Sequence, residues 1–342
     1  MIPDEKLKEI KKFLDESSNP LFFFDDDADG VSSFLLCYHH KKKGHGVIIN
    51  SSPRVTKQHL RKVKEYNPDL VVVLDLAEID QEFIDNCPCK VLWVEHHQVL
   101  ERKEVNYYNP RMWPPEDNRP VTYWIYKAIG GPIWIATLGS VGDWYMPEFL
   151  HEFKENYPDL MESEVNNPEK ALFNSSFSKL FRVYSFNFKG AARNAMQSVK
   201  VLTRIKNPYE ILKQETKEGK FLYKKFEEVE KEYQALLKKV KPEGEKLLYF
   251  EYTEKKYAFT SDISNYLVAN NPDKLTFVAR KKGDEMICSF RTGQSGKYDA
   301  LKILKKSLEG VEGHGGGHKV ACGAVIKVKD FEKFKENVKN NL

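Results

Sequence analysis

Leu21-Phe22-Phe23-Phe24-Asp25-Asp26-Asp27-Ala28-Asp29-Gly30 is the stretch on which the fold turns. Four apolar residues form a short buried strand, four carboxylates follow within five positions, and Gly30 leads the backbone into a helical run over 31–43. Carboxylates at the alternate positions Asp25, Asp27 and Asp29 repel one another in a partly buried cleft, so the loop is tolerable there only beside hard divalent cations. A calcium loop opens with the same Asp-x-Asp-x-Asp-Gly spacing. Its twelfth position must be a bidentate Glu, which here falls on Leu36, and a helix rather than a strand must precede it. A solvated acidic turn is the remaining alternative, and the other segments decide between the two.

Outward from this loop, 47–50 forms a second short strand and 57–66 a basic helix that stops before Pro68. Leu70-Val71-Val72-Val73-Leu74 is a continuous β-branched run of the kind buried in a parallel sheet, closed by Asp75. After a helix over 80–86, Val91-Leu92-Trp93-Val94 ends in Glu95-His96-His97. Three strands therefore each finish in candidate ligands, and the helices between them imply right-handed parallel crossovers in an α/β fold. Ligands of such sheets bind beyond the carboxyl ends of the strands, so these residues converge. The segment 133–143 ends an apolar run in Asp143, a fourth contribution. Asp25, Asp27, Asp29, Asp75, His96 and Asp143 offer oxygen-rich coordination with one imidazole, which suits Mn²⁺ or Mg²⁺ better than zinc. They exceed what one ion needs. Two ions roughly 3.5–4 Å apart, bridged by a shared carboxylate, would use them all and activate a water for in-line attack on phosphorus.

At 342 residues the chain suits two domains, each large enough for its own core. Its charged fraction of 30% is compatible with a heat-adapted source, and its net charge of +4 permits a polyanionic substrate without demanding one. Five cysteines without a Cys-x-x-Cys pair indicate reduced thiols in a cytoplasmic protein. The charged, amphipathic segment 1–18 is no signal peptide, and the most apolar region, 121–141, is split by Gly130-Gly131-Pro132 into two core elements, so no membrane span is expected. The segment 180–212 is helical with an interruption at Asn207-Pro208. A charged helix over 221–240 carries the stripe Leu222, Phe226, Val229, Tyr233, Leu236 and Val240 and ends at 241–244. It is too short for an inter-chain coiled coil and serves as a connector packed along its own domains.

Strands are expected at 247–252 and 275–280, the latter turning through 281–284 into 286–291. A helix over 299–308 leads to Gly313-His314-Gly315-Gly316-Gly317-His318, read as a turn or loop whose glycines bare backbone N–H groups for close approach of a phosphate. An apolar run over 321–328 and a charged helix from Phe331 complete the chain.

In this order the motifs resemble the DHH phosphoesterase family across nearly the whole chain. The loop Asp25 to Gly30, the lone Asp75, the pair His96-His97 and the Gly139-to-Asp143 ending match its four N-terminal motifs. Ser289-Phe290-Arg291 and Gly315-Gly316-Gly317-His318 match the DHH-associated C-terminal domain of the RecJ-like and nanoRNase branch. The resemblance implies a DHH catalytic domain over 1–200, a helical linker over 201–245 and a smaller α/β substrate-binding domain over 246–342. It implies one metal held by Asp25, Asp27 and Asp75 and another by Asp29, Asp75, His96 and Asp143. His97, with Asp75, would be catalytic at the scissile phosphate, while Arg291 clamps a phosphate and Gly316, Gly317 and His318 seat the terminal nucleotide. The family's signature opens with Asp where this chain has Glu95, a position expected to orient the histidines rather than bind metal.

The implied activity is that of a metal-dependent, RecJ-like exonuclease on single-stranded DNA or RNA ends, with replication or repair proteins as partners. A leaning towards 3′ to 5′ digestion follows from the lack of the OB-fold grip of bacterial RecJ. Alternatives from the same family are a nanoRNase or 3′-phosphoadenosine phosphate phosphatase and, given Glu95, a catalytically weak nucleic-acid-binding scaffold.

Overall fold

The computed structural model describes residues 1–50, 54–115, 117–241, 244–293 and 296–342. The chain divides into two compact units, Met1–Glu227 and Glu228–Leu342.

In the first unit, five strands form one sheet: β1 (Pro20–Asp25), β2 (His45–Ile49), β3 (Leu70–Leu74), β4 (Lys90–Val94) and β5 (Asn106–Tyr108). All neighbours are parallel, in the order β2-β1-β3-β4-β5. The three central strands read as unbroken apolar runs because helices cover both faces. One face packs Leu21, Phe23, Val71, Val73 and Trp93 against Val63, Ile79 and Phe83. On the other, Phe22 and Phe24 meet Phe34 of the helix Ala28–Lys41, the Phe24 and Phe34 rings stacked at 4.4 Å. Burying side chains of this size stabilises by about 1.5–3 kcal/mol each.

The order reverses at β1: the chain passes to β2 on one side and then to β3 on the other, which opens a crevice at the carboxyl ends of β1 and β3. Register then sets the level of the candidate ligands. Phe24 pairs with Leu74 and Leu74 with Val94, so Asp25, Asp75 and Glu95 each follow as the next residue at the same end of the sheet.

The apolar region 121–141 is two helices, Val121–Ile129 and Ile133–Gly142, that pack on the helix Ala28–Lys41. Gly139 allows that approach, since a Cβ there would lie 2.6 Å from the Ser32 Cβ and 2.3 Å from the Thr122 hydroxyl. Among the described residues no helix is long and apolar enough to cross a membrane. The helical stretch expected over 180–212 is three pieces, Phe177–Ser185, Ala192–Leu202 and Tyr209–Leu212. The connecting helix runs over Lys217–Leu237, four residues earlier at its start than its apolar stripe suggested, and the unit boundary falls within it. Part of its expected ending, 242–243, lies outside the described residues.

The second unit carries β6 (Leu247–Thr253), β7 (Leu275–Lys282), β8 (Glu285–Arg291), β9 (Gly313–His318) and β10 (Ala321–Lys327) in the order β9-β10-β8-β7-β6. Only the β6–β7 pair is parallel. Phe277, Met286 and Phe290 on one face meet Ile303, Leu304 and Phe334 from the helices Ala300–Ser307 and Phe331–Asn340. The helix Thr260–Asn270 packs against β7 and β8.

The glycine-rich run read as a turn or loop is the edge strand β9, paired with β10 along its length. Glycine hides a strand from propensity, yet the pairing needs it. A Cβ on Gly313, Gly315 or Gly317 would stand 2.4–2.7 Å from a carbonyl oxygen of β10.

Candidate metal centre and phosphate-binding strand

Asp25 ends β1 and Asp27 caps the following helix, its carboxylate accepting the Gly30 N–H at 2.9 Å. Gly30 is required by this turn, because a Cβ there would lie 2.7 Å from the backbone N and O of Asp25. Asp29 faces inward from the first helical turn and accepts the N–H groups of Val121 and Thr122 at 2.8 and 2.6 Å, which caps the helix Val121–Ile129. Asp143 follows the last turn of the helix Ile133–Gly142.

Asp75 is 2% exposed, adopts a left-handed backbone with φ 56°, and its Oδ1 has no hydrogen-bond partner among the described residues. That oxygen lies 3.4 Å from His96 Nε2, which is also 3.7 Å from Asp143 and 4.0 Å from Asp29. His96 Nδ1 lies 2.9 Å from the Asn118 carbonyl, an acceptor only, so Nδ1 carries the proton and Nε2 is turned to the carboxylates as a lone-pair donor.

Among the described residues, potential ligand atoms form three groups, each with its atoms within 4.8 Å of one another: Asp25, Asp27 and Asp75; Asp29, His96 and Asp143; and Asp75, His96 and His97. Burial and then the Asp27 charge push Asp25 up to about 8. Burial, opposed by His96 and reinforced by Asp29 and Asp27, pushes Asp143 up to about 8. Asp75 is raised well above the carboxylate range by burial and then by Asp29, Asp27, Asp143 and Asp25. Burial lowers His96, but the Asp143 and Asp29 charges outweigh it and leave it raised. These shifts share one cause, negative charge gathered in a buried crevice, which a cation would offset. An orphaned buried oxygen, a bare imidazole nitrogen and a predominantly oxygen donor set fit Mn²⁺ or Mg²⁺.

Glu95 belongs to none of these groups. It is fully buried and acts as an acceptor hub: its carboxylate takes the His97 N–H at 2.5 Å, the Tyr107 hydroxyl and the Asn109 amide. Asn109 also donates to the His97 carbonyl at 3.0 Å. The longer side chain thus fixes the main chain that carries His96 and His97, with the His97 ring left 43% exposed beside the carboxylates. Tyr107, Asn109, Asn118 and the Val121 and Thr122 amides were not foreseen. They act through main-chain groups or as generic partners, and residue type does not mark them. Asp26, between Asp25 and Asp27, is raised by burial and then the Asp27 charge and is eased by Asp25, Lys189 and Asn50.

In the C-terminal unit, Arg291 ends β8 and pairs across the sheet with Ala321, which pairs with His318. Arg291, His318, Gly316 and Gly317 thus share one end of that sheet. Arg291 donates to Asn265 Oδ1 at 2.8 Å and to the Phe290 carbonyl at 2.9 Å, and among the described residues no carboxylate pairs with it. Burial lowers its pKa, the expected response of a desolvated cation. Unlike its neighbours in β9, Gly316 has no packing reason to be glycine: a Cβ there meets nothing within 4 Å. Its bareness leaves room for a ligand.

Residues 245–342 match the DHHA1 domain family. A search of curated proteins finds no match. Among solved structures, the chain is similar to RecJ of Thermus thermophilus in complex with Mn²⁺, with a TM-score of 0.69 at 15% identity over 99% of this chain and 55% of that one. It therefore spans little more than half the length of that protein. An exonuclease RecJ bound to manganese gives 0.62 at 15% identity over 98% of this chain and 94% of that one. The DHH domain of a protein assigned to a family of ribosomal proteins gives 0.65 at 13% identity over 98% and 90%. The chain thus has the RecJ-like DHH fold, with a DHHA1 domain over residues 245–342.

Proposed function

We propose that the protein is a metal-dependent phosphodiesterase that removes nucleotides from an end of single-stranded DNA or RNA. The observation that carries this reading is the buried carboxylate cluster around Asp75 Oδ1, an acceptor with no partner among the described residues, beside an imidazole nitrogen aimed at it. Asp25, Asp27 and Asp75 would hold one divalent ion and Asp29, Asp75, His96 and Asp143 another, together supplying a water acidified for attack and charge to neutralise the phosphate. The protein's own groups do the rest. Asn118 keeps His96 in one tautomer, and Glu95 holds the His97 main chain so that the exposed ring can donate to a phosphoryl oxygen as charge develops. Arg291 binds a substrate phosphate through its remaining N–H groups, and the Gly316 and Gly317 backbone with His318 receives the terminal nucleotide.

The test is release of mononucleotides from end-labelled single strands in manganese. Release that disappears in Asp75→Ala is expected; strands that bind yet stay intact would replace the enzyme with a scaffold. DNA and RNA labelled at each terminus give polarity, with 3′ to 5′ expected. A preference for trimers over long strands would favour the nanoRNase alternative.

A further inference from the structure

At the sheet edge opposite β9, an open cleft of about 980 Å³ runs along β6. Among the described residues Lys239, Lys241, Lys255 and Lys339 line it, with Glu251 the one carboxylate. The main chain of β6 is oriented by its neighbour. Leu275 N–H donates to the Lys246 carbonyl at 2.9 Å and Glu254 N–H to the Lys281 carbonyl at 3.3 Å, so the even-numbered residues turn to β7. The N–H and C=O groups of Tyr249, Glu251 and Thr253 therefore face the open edge, while the Leu247 carbonyl lies against Gly244.

Two polymer classes could meet four lysines. Bases need a free aromatic face, but Phe250 and Tyr252 are buried, and the Tyr249 ring lies against Phe277 with the Lys335 ammonium 5.4 Å from its centre. A second extended backbone needs only the row of outward groups that β6 presents.

We propose that β6 accepts an extended acidic segment of a partner protein as an added strand, its backbone bonded to residues 249, 251 and 253 and its carboxylates set against the four lysines. The site lies apart from the phosphate-binding end of β9 and does not depend on the hydrolytic reading.

Fluorescence anisotropy of a labelled peptide in which Glu alternates with Val, titrated with the full chain, tests this. Binding is expected, and Lys239→Glu with Lys255→Glu should weaken it by about tenfold or more. Glu251→Pro removes one outward N–H without breaking a bond to β7 and should abolish binding, whereas Glu251→Gln should retain it. Unfolding transitions matching the parent protein qualify each variant, and the surface lysine pair decides the matter if the proline variant does not fold. No binding would mean that the lysines merely deter edge pairing. That result, equal binding of a Lys-Val peptide, binding unchanged by Glu251→Pro in a folded variant, or full displacement by oligothymidylate would overturn the proposal.

Discussion

Asp75 combines a left-handed backbone, near-complete burial and an unpartnered oxygen, each of which costs stability in the absence of metal. Asn tolerates the same backbone and removes the charge. Asp75→Asn should therefore melt no lower than the parent without metal. It should lose the manganese-dependent rise in Tm, which in the parent would reflect a stabilisation of about 2.7 kcal/mol at a hundredfold excess over Kd; thermal melts with and without manganese measure both. At Glu95 the expectation runs against the family pattern. Glu95→Asp restores the residue usual at that place but withdraws the carboxylate from Tyr107 and Asn109, both built to reach the longer side chain. A loss of about 1–3 kcal/mol is expected in denaturant unfolding, with turnover lowered as the His97 main chain loosens.

Between elements, the decisive contacts are close approaches and caps. Gly30→Ala places a Cβ against the Asp25 backbone and should cost about 1–3 kcal/mol, with a parallel loss of manganese affinity in calorimetric titration, because the strand end and helix start that carry Asp25 and Asp27 must part. Asp69, just before β3, ties down the approach to β1: it accepts Ser17 Oγ at 2.5 Å, Ser18 N and Oγ at 2.6 and 2.7 Å, and Asn19 N at 3.1 Å. Partial burial raises its pKa, but these donors prevail and hold it well below the usual 3.8. The native state thus binds fewer protons here than the unfolded chain, so this contribution is present above about pH 4 and is lost as the pH falls through the depressed value. Asp69→Asn should flatten the acid limb of the stability–pH curve and leave its slope near neutrality unchanged.

Across the whole molecule, what the sequence disclosed depended on the physics of each part. Strands β1, β3 and β4 were legible because doubly covered parallel strands are continuous apolar runs, and each run ended in an acid or imidazole that the sheet register brings to one level. Strand β9 was not, since glycine has neither periodicity nor β propensity and only its partner β10 reveals it. Three-residue β5 was too short to show a pattern. The supports of the candidate centre, Asn118 and the Val121 and Thr122 amides, lie far in sequence from the residues they hold and act through peptide groups that every residue possesses.

The helix Lys217–Leu237 bears on how the two halves can change. Leu222 and Phe226 serve the first unit, where the Asn187 amide reaches the Leu222 carbonyl and Phe186 meets the Phe226 ring. Tyr233 serves the second, against Phe259, and Tyr257 bonds Glu228 there. A recombination between the codons of Glu227 and Glu228 would leave each of these contacts within one descendant. The segment that joins the unit Met1–Glu227 to the DHHA1 half is thus also the point at which evolution could trade one of them for another.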